Sequence, residues 1–201
     1  MTVSGFLPWI GDEYWEQPYK ILVLGESHHS NGKKEACAPD ENEAKATINL
    51  TRDFLAGHNR HAFWSKVGNL VGRYMGWLDD GGYPNARDAF RKIAFYNFLT
   101  SSVSSHRDLP TNEAVVASRP AFIDILDKLK PDLVIALGAN KQTWFLRDIG
   151  ELEYIQSSTK PFVARRGTTT IVVCNHPQGR FSYGEAIRLL NEGKLIAEAY
   201  S

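Results

Sequence analysis

The sequence predicts an α/β protein in three layers, with a central four-stranded, mostly parallel sheet between two layers of helices. Three observations predict it. Four short apolar runs, 19–25, 93–99, 133–137 and 169–174, are each the length of a strand buried on both faces. The segments between them carry apolar residues at helical spacing, as crossovers between parallel strands require. The residues able to do chemistry collect just behind the carboxyl ends of those runs, where open α/β sheets bind their ligands.

The elements follow in order. Ile21, Leu22, Val23 and Leu24 form the first run, which stops at Gly25. A polar stretch extends from Glu26 to about Asn42. Phe63, Val67, Leu70, Val71 and Tyr74 then share one face of an amphipathic helix. The second strand runs from Ile93 to Leu99. After it, Ser118 with Pro120 reads as the opening of a helix with an apolar stripe of Phe122, Ile125, Leu126 and Leu129, ended by Pro131. The third strand, Leu133 to Leu137, reaches Gly138 and leads to a helical segment with Trp144, Phe145 and Leu146. The fourth, Thr169 to Cys174, leads into Asn175, His176 and Pro177. Ser182, followed three residues on by Glu185, is a capping-box pattern that starts a last helix.

Composition bounds the function. A chain of 201 residues, 43% hydrophobic, can bury one substantial core, so a single domain over 1–201 is expected. There is no apolar window of membrane-spanning length and no secretory pattern at the N-terminus, so a soluble, cytoplasmic protein is expected. A monomer is the default expectation, with the oligomeric state left open by the sequence. Cys37 and Cys174 are too few for a disulfide framework or a four-cysteine cluster, and two free thiols are expected. The 23 basic and 23 acidic side chains cancel. Duplex binding draws on a basic surface, which Arg165, Arg166 and Arg180 could supply locally. No G-x-G-x-x-G follows a strand and no phosphate loop is present, which argues against a dinucleotide or nucleotide-triphosphate site.

Read in order, Val23-Leu24-Gly25-Glu26-Ser27-His28-His29, Phe63-Trp64, Phe95-Tyr96-Asn97-Phe98, the run Pro131 to Gly138, and Asn175-His176-Pro177 resemble the uracil-DNA glycosylase superfamily. The resemblance extends from about residue 19 to 193. It implies a DNA base-excision activity: a nucleotide is flipped out of the helix and the bond between base and sugar is hydrolysed, with no cofactor. Negative charge then develops on the base O2 and positive charge on the sugar, so a donor is needed at one end and an anion or oriented water at the other.

The resemblance implies roles residue by residue. His176 matches the histidine that donates to the departing base; taken alone it is a residue capping the turn before Pro177. Asn97 matches the asparagine whose amide reads the base edge; taken alone it is a strand-end turn residue. Phe63 matches the aromatic that stacks on the flipped base, and its helical spacing with Val67 and Leu70 equally suits a core residue. Arg180 or Phe181 stands in the loop that fills the space left by the flipped nucleotide.

The first motif departs from the family pattern. Ser27 stands where many members carry Asp or Asn to orient the attacking water. Glu26 precedes it and is the candidate for water activation or for stabilising the cationic sugar. His29 falls where some relatives exclude thymine with a bulky ring, and reads otherwise as polar loop. Two further classes compete with the glycosylase reading. One is a base-binding or nucleic-acid-binding module of the same fold with little or no catalysis, for which Ser27 and the neutral charge speak. The other is a metal-dependent hydrolase using Glu26, His28, His29, His58 and His61, which adjacent histidines and the lack of a supporting carboxylate disfavour.

Overall fold

The computed structural model describes residues 5–28, 39–103, 110–138, 146, 149–156, 161–177 and 181–200. In chain order the elements are β1 (Trp9–Ile10), β2 (Ile21–Gly25), α1 (Glu41–Ala44), α2 (Ala46–Ala56), α3 (Ala62–Met75), α4 (Ala86–Lys92), β3 (Ala94–Asn97), α5 (Asn112–Leu129), β4 (Leu133–Leu137), β5 (Glu153–Gln156), β6 (Val163–Arg166), β7 (Thr169–Cys174) and α6 (Tyr183–Ala199). The strands form one sheet in the order β1-β3-β2-β4-β7-β6-β5. The chain is α/β, as expected, but the sheet has seven strands and not four.

The four expected strands are the parallel centre, β3-β2-β4-β7. The other three add antiparallel edges, β1 against β3 and the β6-β5 pair against β7. Each edge strand lacks the apolar run that marks a buried strand. β1 has two residues, β5 is exposed or half-exposed along its length, and β6 ends in two arginines.

Period-two alternation in the central strands divides the core between two helix layers. Leu22, Leu24, Tyr96, Val134, Ala136, Ile171 and Val173 face α5 through Phe122, Ile125, Leu126 and Leu129. Ile21, Val23, Phe95, Leu133, Ile135, Val172 and Cys174 face α3 and α6 through Trp64, Val67, Leu70, Leu189 and Leu190. Nearly all of these strand residues are sealed from solvent. Each such aliphatic side chain contributes about 1.5–3 kcal/mol relative to exposure, so the two faces fix the order of the sheet. Burial also pushes the Cys174 thiol up to about 12. No helix among the described residues is long and apolar enough to cross a membrane.

The helices differ from expectation in three places. α1 and α2 occupy a stretch without an apolar stripe: Asp40 starts α1 with a complete capping box, and α2 buries Thr47 and Thr51 beside Phe54. Thr51 Oγ1 donates to the Thr47 carbonyl, which satisfies a hydroxyl that burial would otherwise strand. α4 is about two turns long, capped by Asn85. α5 begins at Asn112 behind a Thr111 cap, so Ser118 and Pro120 lie inside the helix and do not open it. Ser118 is buried. Its Oγ donates to Ala114 O and accepts from the Thr100 N–H at 3.0 Å, which ties α5 to the chain leaving β3. Pro120 removes one helical donor, and Val116, whose carbonyl loses that bond, lies on the exposed side. The expected helical segment at 144–146 lies outside the described residues except for buried Leu146.

α3 reaches the sheet beside α4 at Gly68, where a Cβ would collide with the Ala86 backbone. Alanine is intrinsically favoured over glycine in a helix by about 1 kcal/mol. The clash reverses that preference. We expect Gly68→Ala to lower stability by about 1–3 kcal/mol in chemical denaturation with an unchanged slope; wild-type stability would contradict the close approach of α3 and α4.

Candidate active site

The pairings Gly25↔Asn97 and Leu137↔Cys174 bring the carboxyl ends of the four parallel strands to one rim. Beyond the rim the chains stay joined. Phe98 N donates to Gly25 O, Leu99 N to Glu26 O and Val103 N to His28 O, at 2.9–3.0 Å, so the segment after β3 follows the segment after β2. On the other side Gly138 N donates to Cys174 O at 2.7 Å. Backbone hydrogen bonds therefore position Glu26, Ser27, His28, Asn97 and His176 on one side of the molecule.

Asn97 is 5% exposed and lies on the same face of β3 as Phe95. Its amide carbonyl lies directly over Gly25, so close that any Cβ at that position would overlap it. The same Cβ would meet the Phe95 ring at 3.2 Å. Gly25 is thus required by the space Asn97 occupies, since its backbone is ordinary strand. The amide Nδ2 is 2.9 Å from His28 Nε2. His28 Nε2 is in turn 2.7 Å from the hydroxyl of buried Thr47, and its ring packs on Phe6 with centroids 4.3 Å apart.

His176 is half-buried, and its ring lies nearly parallel to Phe63, with centroids 5.6 Å apart and planes 28° from parallel. Phe63 stands in the first turn of α3 and meets Phe95 edge-on at 5.9 Å. It is half-buried, at once the edge of the core and a wall of the rim. One turn along, Lys66 donates from Nζ to the Pro177 carbonyl at 2.8 Å. The start of α3 therefore holds the His176 turn at two points. Lys66 escapes sequence reasoning, although its spacing of three from Phe63 places it on the same helix face.

Glu26 and Ser27 are half-buried on the rim, and their side chains make no hydrogen bond or ion pair among the described residues. His29 and Arg180 lie outside the described residues. Phe181 is half-buried against the core and meets Tyr183 edge-on at 5.3 Å. His61 is used locally, its Nδ1 accepting from Phe63 N at 3.2 Å as the cap of α3, and His58 is exposed. Among the described residues no group of three or more His, Cys, Asp or Glu could hold a metal ion.

Arg165 and Arg166 do not contribute to the rim. Arg166 pairs with Thr169 at the amino end of β7, the opposite end of the sheet, and their guanidinium groups are held by Glu153 and Asp127 at 2.8 Å. Proximity in sequence misleads because β6 runs antiparallel to β7. An open groove lined by Val116, Arg119, Ile123, Asp127 and Ile149 lies along α5, on the other face of the sheet from Phe63, and none of the rim residues reaches it.

A sheet with a parallel centre and its polar residues gathered at the strand ends defines an α/β protein of the kind that binds its ligand beyond those ends. Residues 38–199, about four-fifths of the chain, match the family model for the uracil DNA glycosylase superfamily, and the chain belongs to that superfamily. The matched stretch contains Phe63, Asn97 and His176 and begins after β2 and the Glu26–His29 segment. No curated protein matches the chain.

The glycine beneath Asn97 yields a double-mutant test. Gly25→Ala is expected to cost about 1–3 kcal/mol of stability. In an Asn97→Ala background most of that loss should vanish, leaving a coupling of about 1 kcal/mol or more. Additive losses in denaturant titrations would show that the two residues do not share the space.

Proposed function

We propose that the protein is a DNA base-excision glycosylase that hydrolyses the N-glycosidic bond of uracil or a related deaminated base. The observation that carries the reading is the placement of Asn97, Phe63 and His176 on one rim, in a chain of this superfamily. Asn97 offers the amide that reads the base edge. Uracil presents a carbonyl and a ring N–H there, and cytosine the reverse pattern, which leaves buried polar groups unpaired and is rejected.

Phe63 supplies the stacking surface, worth about 1–3 kcal/mol per base. A base between two rings needs them about 7 Å apart, twice a van der Waals contact. At 5.6 Å, His176 already occupies that face of Phe63. A base that stacks there displaces the imidazole, which moves from the ring face to the base O2 and donates to it as negative charge develops. Glu26 faces the other half of the reaction, orienting the water whose oxygen bonds to C1′ or stabilising the cationic sugar. The base leaves with the electron pair of the broken bond and takes up the proton that the water releases as its oxygen bonds to C1′. Ser27 provides a hydroxyl to the same water, and His29 the gate against thymine. Since the Phe181 ring is engaged by Tyr183, the wedge that fills the duplex falls to Arg180.

Labelled oligonucleotides carrying uracil, hypoxanthine or xanthine, single- and double-stranded, test the reading through strand cleavage at the abasic product. Glu26→Ala should abolish excision. His176→Ala should slow single-turnover excision by about 10²–10³-fold while DNA affinity changes far less; equal losses in both would remove His176 from the donor role. Ser27 at the water-orienting position favours a second reading, a base-binding module without catalysis. Intact protein that binds these oligonucleotides but cleaves none would establish it.

A further inference from the structure

The amide of Asn97 is not symmetrical in its surroundings. One end, Nδ2, meets His28 Nε2 at 2.9 Å; the other, Oδ1, lies over Gly25 on the Phe95 side, the side on which Phe63 stands. An amide nitrogen can only donate, so Nε2 of His28 must accept, and a neutral His28 then carries its proton on Nδ1. The Thr47 hydroxyl, 2.7 Å from the same nitrogen, rotates to either role and adapts to this choice. Phe6 against the ring and the bond from Val103 N to His28 O hold the imidazole in place.

We propose that His28 is a positioning residue: it fixes which end of the Asn97 amide faces the bound base and so restricts that base to one bearing a ring N–H. With one Nδ2 hydrogen given to His28, the amide is held with its carbonyl toward the ligand, where it accepts from a ring N–H, and the second Nδ2 hydrogen stays available as a donor to the neighbouring base carbonyl. Uracil, hypoxanthine and xanthine carry such a ring N–H; cytosine and adenine carry a bare ring nitrogen at the equivalent place. The opposite tautomer would turn the amide over and present an N–H₂ to the base. The selection of bases rests on the glycosylase reading above, whereas the orientation of the amide does not.

Nitrogen-15 spectra of the histidine rings in the full chain, at a pH above the ordinary imidazole range, separate the two. The His28 signals, identified by their loss in His28→Gln, should show an unprotonated Nε2 and a protonated Nδ1. A protonated Nε2 overturns the proposal whatever the protein does to DNA. In single-turnover excision, His28→Leu should reduce the preference for uracil over cytosine by about tenfold or more. His28→Gln, whose side-chain carbonyl can still accept from Asn97, should keep that preference. Equal slowing on every base in both variants would make His28 a structural prop and defeat the proposal. If the wild-type protein excises nothing, the glycosylase reading and the base selection fall together, and the nitrogen spectra still decide the orientation of the amide.

Discussion

The rim of the sheet depends on one close approach, the Asn97 side chain lying across the α-carbon of Gly25. Two adjacent parallel strands are held backbone to backbone, and at their last paired residues one must give up its side chain for the other to fold over it. The polar amide is thereby buried at the edge of an apolar face, where an unpaired group would be expensive and a satisfied one is rigid. His28 supplies the partner, and Thr47 and Phe6 hold His28. The order at the rim thus spreads from a missing Cβ outward through three layers of side chains.

A second support comes from α3. Its first two turns present Phe63 to the His176 ring and Lys66 to the Pro177 carbonyl, while Gly68 lets the helix settle against α4. The helix that forms the apolar face of the core therefore also fixes the turn after β7. Packing and site geometry are here one problem: a shift of α3 moves the stacking surface and the imidazole together.

The parallel strands are legible in the sequence because burial on both faces demands continuous apolar runs, and β4 and β7 fall on the expected residues. The edge strands are not legible, because two residues or an arginine pair carry no such run. α2 is hidden for a related reason, since it buries threonines and its stripe is not apolar. In α5, Pro120 and Ser118 resemble a helix start, whereas Ser118 is a buried tether and the true cap is Thr111. At the site, the family resemblance points to Glu26, Ser27, His29, Phe63, Asn97 and His176 and passes over His28. Only the register of β2 against β3 reveals that His28 meets Asn97. Arg165 and Arg166 illustrate the converse error, residues near the site in sequence that an antiparallel hairpin carries to the far end.

The proposed reading and cleavage of a flipped base take place at the rim formed by β2, β3 and β7. The most direct test is the structure of the protein with a duplex containing 2′-fluoro-2′-deoxyuridine, whose electron-withdrawing fluorine destabilises the cationic sugar and preserves the bond. An extrahelical uracil is expected, with the Asn97 carbonyl at its ring N–H and the His176 ring turned from Phe63 to within about 2.6–3.2 Å of O2. A uracil still stacked in the helix, or one lodged in the groove along α5, would contradict that placement.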